Sequence, residues 1–301
     1  MRGEIGHESI PLREIDAARQ ILRSQRLSLT EFSEVFSAEK LREDIALVAE
    51  RRAAFVVSKE RDKERGEIAE ATMIVGVNTG KWFGQDTSVL PTTEFDDFEH
   101  GVDILLERMQ SGGTFSHFAL GVDVSVSEID IEKKLQNTTD RLRRGQLTKL
   151  DYFYSPRMGL KGQLLDIPHG VVGVQRESLM ELSHFLPGAD KEKWANLIEQ
   201  FIVLEELKVQ LTSFVGYIKT SVSSVVTSER KQKMFEKYTQ ALAYIEQVLQ
   251  EKQQLKEELF VDDRDYKKVL EADRVYKAIF EASQRIHPSV PPKRLPASRR
   301  R

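Results

Sequence analysis

The triplet Gly-Val-Asp stands twice in this chain, at 101–103 and 121–123, each time at the head of an apolar run: GVDILLERM and GVDVSVSEID. Side chains of a β-strand alternate between its two faces. In the first run Val102, Ile104 and Leu106 share one face, and Asp103, Leu105 and Glu107 the other. In the second, Leu120, Val122, Val124 and Val126 are apolar, with Gly121, Asp123, Ser125 and Ser127 opposite. Paired as neighbours, the strands bring Asp103 and Asp123 to one face, about 5–8 Å apart at Cβ. Two carboxylates that close repel unless they share a proton or a cation lies between them. The competing expectation is a pair of amphipathic strands whose aspartates are simply solvated on a wet face.

The rest of the chain is compatible with a folded unit around these strands. Its 301 residues are 40 % hydrophobic and 31 % charged, a globular composition. Nothing approaches the roughly 18 apolar residues of a membrane span, and MRGEIGHESIPLREID lacks the apolar block of a signal peptide. The expectation is a cytoplasmic protein with no membrane partner. Cysteine is absent, which removes disulfides, thiolate zinc sites and cysteine nucleophiles. The net charge of −3 with +5 in HPSVPPKRLPASRRR leaves −8 on residues 1–286. That Pro-rich basic tail is expected to be disordered.

Four segments follow. Residues 1–37 read as short helices, and 38–189 as an α/β core. Residues 190–286 read as a helical hairpin plus a third helix, and 287–301 as the disordered tail. Within the core, SAEKLREDIALVAERRAAFVV is helical, and IAEATMIVGV begins helically and turns into a strand. NTGKWFGQDTSVLPTTEFDDFEH reads as a loop from its Gly, Thr, Asp and Pro content. EIDIEKKLQNTTDRLRRG is a helix closed by Gly145, LTKLDYFY and IPHGVVGVQ are strands, and RESLMELSHFL is a helix. Beyond 190, Leu197, Phe201, Leu204, Leu207, Leu211, Phe214 and Ile218 advance by threes and fours. They form a seam for helix packing, expected to stabilise the fold or to pair two copies of the chain as a homodimer.

A carboxylate pair with small neighbours suits Mg²⁺ (or Mn²⁺), a hard cation that takes one or two carboxylates plus water and phosphate oxygens. Asp103 and Asp123 are the expected ligands, and phosphodiester hydrolysis the reaction such a site most naturally serves. Asp96 and Asp97, just upstream, read as outer ligands or as ordinary turn chemistry. Arg141, Arg143, Arg144 and Lys149 complement a helix C-terminus and equally suit phosphate contacts, so they are the candidate nucleic-acid-binding residues. His100 and His117 lack the paired spacing of a zinc site. GVNTGKW is one residue short of a phosphate loop and lacks its Ser/Thr.

The order of an acid-bearing helix, a strand with Asp, a second strand with Asp, a helix and a short strand resembles the core of the PD-(D/E)XK nuclease superfamily. The resemblance covers about 60–190. It implies a restriction-endonuclease-like mixed sheet of α/β (α+β) class. It also implies a helical acid at Glu70 (or Glu67), metal ligands at Asp103 and Asp123, and a last core strand in GVVGVQ. The superfamily's lysine position holds Ser125, so Lys133 or Lys134 from the following helix would have to serve, with Lys134 taken as the catalytic residue. TTEFDDFEHGVD, FALGVDVSVS, IEKKLQNTTDRLRRGQL and IPHGVVGVQ are also similar to a family of proteins encoded by uncultured small-genome bacteria. That likeness implies family membership without an activity. His100 stands where that family usually has Asn, and Ser125 where it has Thr.

Two functional expectations result. One is a Mg²⁺-dependent nuclease acting through Glu70, Asp103, Asp123 and Lys134. The other is a non-catalytic scaffold that binds nucleic acid or protein, favoured by Ser125 and by the long helical seams. A nucleotidyltransferase would need a Gly-Ser helix start ahead of closely spaced acids, which the sequence lacks.

Overall fold

Residues 10–55, 60–109, 117–222 and 225–287 are those that the structure, a computed structural model, describes. The tail 288–301 lies outside them. The apolar run 68–77 is helical throughout, as part of α3 (Glu60–Asn78), and does not turn into a strand. Its β-branched residues are accommodated because the helix is covered on two sides. Helix α1 (Leu12–Gln25) packs against one, and the sheet against the other. Ile68, Met73, Ile74 and Val77 are fully buried. Gly76 is required here, since a Cβ would sit 2.6 Å from the Trp82 ring.

The segment expected as a loop contains two elements, β1 (Thr87–Pro91) and α4 (Glu94–His100). The strands built on the Gly-Val-Asp repeats are β2 (Ile104–Met109) and β3 (His117–Ser125), and IPHGVVGVQ supplies β6 (His169–Gly173). The mixed sheet runs β1-β2-β3-β6, antiparallel except for the parallel pair β3–β6. Between β3 and β6 the chain forms α5 (Glu128–Arg143) and a hairpin of β4 (Thr148–Ser155) and β5 (Leu160–Ile167). The fold is therefore α+β, with one small mixed sheet set among helices.

One face of the sheet, carrying Ile104, Leu106, Leu120, Val122 and Val124, joins the core built on α3. The other face is not wet. Leu105 and Ala119 pack beneath Leu150, Phe153, Leu164 and Ile167 of the hairpin, so Asp103 and Asp123 lie at the margin of a second apolar layer.

Both edges of the sheet are sealed by side chains. At β1, Asn78 accepts from the Val89 N–H (3.0 Å) and donates to its carbonyl (3.4 Å). At β6, Gln210 of α8 (Glu199–Thr220) accepts from the Val171 N–H (2.7 Å) and donates to its carbonyl (2.6 Å). Glu206 accepts from the Gly173 N–H (2.9 Å), and Tyr238 of α9 (Ser228–Glu251) accepts from the His169 N–H (3.2 Å). An open strand edge invites pairing with another chain, and these groups occupy the positions a fifth strand would use. The apolar seams of residues 190–286 are used within the chain, where α8 packs on β6, α9 and α12 (Arg274–Ile286). No helix among the described residues is long and apolar enough to cross a membrane.

Candidate functional site

The residues around the first Gly-Val-Asp form a tight corner. Thr93 caps α4 by accepting from the Asp96 N–H, and Gly101 ends the helix with φ of 64°, a left-handed conformation that glycine adopts without a Cβ penalty. This corner returns the chain into β2 so that Asp97, on the helix, and Asp103, beyond the turn, come to the same point. The register pairs Ile104 with Val122, which sets Asp103 opposite Asp123 one step past the ladder. The backbone N–H of Asp103 donates to the Val122 carbonyl (3.0 Å), and its Oδ2 accepts from the Val124 N–H (2.6 Å). The carboxylate is held at two points.

Glu70 of α3, Asp97 and Asp103 offer oxygens that lie within 4.8 Å of one another. Asp103 is within hydrogen-bonding reach of both Asp97 and Asp123. Burial pushes Glu70 up to about 8. Arg26, 2.6 Å away, opposes the shift, and Asp103 and Asp123 add to it. Burial pushes Asp123 up to about 7, with the Lys134 ammonium opposing and Asp103 reinforcing. Asp97 is held well above the ordinary carboxyl range by burial and by the charges of Asp103 and Glu70. Lys134 of α5 reaches the pair, with Nζ 2.5 Å from Asp123 Oδ1 and 3.1 Å from the Val124 carbonyl. Burial lowers its pKa, but Asp123 and Asp103 outweigh that and keep it charged.

The structure thus gathers Glu70, Asp103, Asp123 and Lys134, the four residues expected from the sequence. Lys133 is exposed, and Glu67 turns instead to Arg19 (2.8 Å). Ser125 turns its hydroxyl to the backbone of Ser127, and the ammonium beside Asp123 comes from Lys134 on α5. Asp97 joins the cluster as a full member. Arg26, whose contact with Glu70 spans 44 residues, has no local sequence signal at all.

The basic cluster is dispersed. Arg141 donates to Thr148 Oγ1 (2.8 Å) and to the His100 carbonyl (2.9 Å), and Arg143 pairs with Asp140 (2.9 Å). Lys149 pairs with Asp151 (2.9 Å), while Arg144 is exposed.

Asp96, His100 and Asp151 form a second group close enough to hold a metal. Its oxygens are already engaged by the protein. Asp96 accepts from the Asp151 N–H (2.6 Å), the Tyr152 N–H (3.1 Å) and the Thr93 hydroxyl (2.9 Å). Asp151 accepts from His100 (2.7 Å), Gln163 (2.7 Å) and Lys149. This network locks α4 to β4 and so fixes Asp97 from behind. His169 is a further strut. Burial pushes it down to about 4, leaving a neutral ring that donates to the Gly101 carbonyl (2.9 Å) and meets Thr138 on α5 (2.9 Å). Comparison of the chain with protein-family models, curated proteins and solved structures finds no match.

Proposed function

We propose that the chain is a divalent-metal-dependent phosphodiesterase acting on nucleic acid, built on a PD-(D/E)XK-like core. The observation that carries the reading is the convergence of four carboxyls, Asp103 and Asp123 buried and Glu70 and Asp97 half-buried, and one ammonium at one corner of the sheet. The order α3, β2, β3, α5, β6 supports it, since the resemblance implies an acid-bearing helix, two strands with Asp, a helix and a short strand; β1, α4 and the β4–β5 hairpin are additions to that succession.

The donor set fits Mg²⁺ or Mn²⁺. Glu70, Asp97 and Asp103 present hard oxygens at chelating separation, and burial and neighbouring charge hold Glu70 and Asp97 above the ordinary carboxyl range, a repulsion that a bound cation would relieve. When bound, such an ion supplies Lewis-acid polarisation of a phosphoryl oxygen and of water. Asp103 is the most firmly oriented ligand because β3 holds it. Asp123 fixes the Lys134 amine, which is placed to orient an attacking water or to meet charge developing on phosphate. Arg26 steadies Glu70 and adds a second positive group beside the acids.

Purified protein with Mg²⁺ or Mn²⁺ is expected to cleave DNA or RNA strands. Asp103→Asn abolishes this, and Lys134→Met lowers the rate about 10²-fold or more. Absence of metal-dependent cleavage, or its survival in Asp103→Asn, refutes the enzymatic reading and leaves the non-catalytic scaffold.

A further inference from the structure

A cleft of about 750 Å³ opens between α1, the turn at Ser28–Phe32, α2 (Ala38–Phe55) and α3. Its walls carry five basic side chains, Arg19, Arg23, Arg26, Arg52 and Lys63, against two acids, Glu67 and Glu94. Three of the five are already paired within the protein, Arg19 with Glu67 and Glu64, Arg26 with Glu70, and Arg52 with Glu94, so the positive charge left over rests on Arg23 and Lys63. Arg23 is exposed and makes no ion pair among the described residues, while Lys63 approaches Glu67 only at 3.9 Å. The floor is aliphatic, with Leu22, Leu27, Leu29, Ile45 and Val48, and no aromatic ring lines it.

The cleft leads to the acids. Glu67 lies one helical turn from Glu70 on α3, and Glu94 one turn from Asp97 on α4. Arg26 belongs to both regions: it lines the cleft and binds Glu70 at 2.6 Å. It also feels the charges of Asp97, Asp103 and Glu94.

We infer that this cleft is the track for one nucleic-acid strand, held by its phosphates and delivered past Arg26 to the acidic cluster. The inference rests on the phosphodiesterase reading for what happens at the far end, but the binding surface stands on its own geometry. Arginine and lysine along a groove neutralise successive phosphates and release counterions. Without aromatic platforms the bases are not stacked or read, so binding is independent of sequence. The volume falls in the range of small-ligand pockets, about 300–1,000 Å³. A pocket of that volume does not enclose a duplex. The N-terminal helices, rather than the Arg141–Lys149 cluster, are the strand-binding surface.

The test is fluorescence anisotropy with a labelled mixed-sequence single-stranded DNA, in EDTA so that no cleavage occurs. The variant is Arg23→Glu/Lys63→Glu, both exposed and outside the acidic cluster, with unchanged thermal unfolding as the folding control. Expected is at least a tenfold loss of affinity and a salt slope lower by about two, with the matched duplex bound more weakly than the single strand. Wild-type affinity in the variant, or tighter binding of the duplex, overturns the inference. Asp103→Asn separates the two claims, because it retains strand binding. Strand binding that depends on Arg23 and Lys63 in a protein that never cleaves sustains the track and sinks the phosphodiesterase. Cleavage by the wild type with intact binding in the double variant does the reverse.

Discussion

Raising the pH in the absence of metal should destabilise this protein, and the size of the effect follows from two side chains. Glu70 sits at about 8 and Asp123 at about 7 in the folded state, against 4.5 and 3.8 for the free groups. Their folded pKa values are raised, so between these limits the folded protein holds protons that the unfolded chain has released. Stability therefore falls as pH rises. His169 acts in the opposite sense, but only below about pH 6.5, where the unfolded imidazole is charged. Between about pH 6.5 and 8 the two carboxyls together should cost about 2 kcal/mol, at roughly 1.4 kcal/mol per proton and pH unit. Asp97 adds to the loss in the same direction. The assay is urea unfolding in EDTA at a series of pH values, repeated with Mg²⁺ or Mn²⁺. The cation binds only the folded, deprotonated cluster, so its stabilisation should grow with pH and flatten the profile. A profile in EDTA that is flat or rises over this interval would refute the reasoning, as would a divalent ion that leaves it unchanged.

The packing makes two further predictions. Gln210→Leu strips both hydrogen bonds from the buried Val171 backbone and should destabilise by about 2–4 kcal/mol in the same unfolding assay. A loss below about 0.5 kcal/mol would mean that α8 does not seal the sheet edge. Gly173→Ala places a Cβ 2.1 Å from Val275 Cγ1, so β6 and α12 must separate at a cost of about 1–3 kcal/mol, read as a lower thermal midpoint. An unchanged midpoint would contradict that close packing.

The carboxylate pair was legible because strand alternation is a local property: Ile104, Leu106, Leu120, Val122 and Val124 share one face as expected, although Val102, ahead of β2, packs with Leu105 on the other. Glu70 (or Glu67) and Lys134 (or Lys133) came from the superfamily resemblance, and only the packing of α3 and α5 selects Glu70 and Lys134. Asp97 was harder to place, because Asp-Asp ahead of a turn is ordinary loop chemistry and only the left-handed Gly101 corner brings it back to Asp103. Arg26 was invisible, since its helix meets Glu70 through tertiary packing of α1 on α3. The same non-local cause hid the helical character of 68–77, whose apolar residues face two different neighbours and so show no single helical stripe. It also hid β1, a five-residue edge strand ending in Pro91. Gln210 and Glu206 gave no warning either, as polar residues interrupting an apolar seam usually face solvent, whereas here they are fully buried against a strand edge.

The most direct test of the acidic cluster is Mn²⁺ binding followed by electron paramagnetic resonance, comparing the wild type with Asp103→Asn and Glu70→Gln. A protein-bound site in the wild type, tightening as pH rises and lost in both variants, is the predicted result. Absence of bound Mn²⁺ in the wild type, or equal binding in Asp103→Asn, would show that these carboxyls do not form a metal centre.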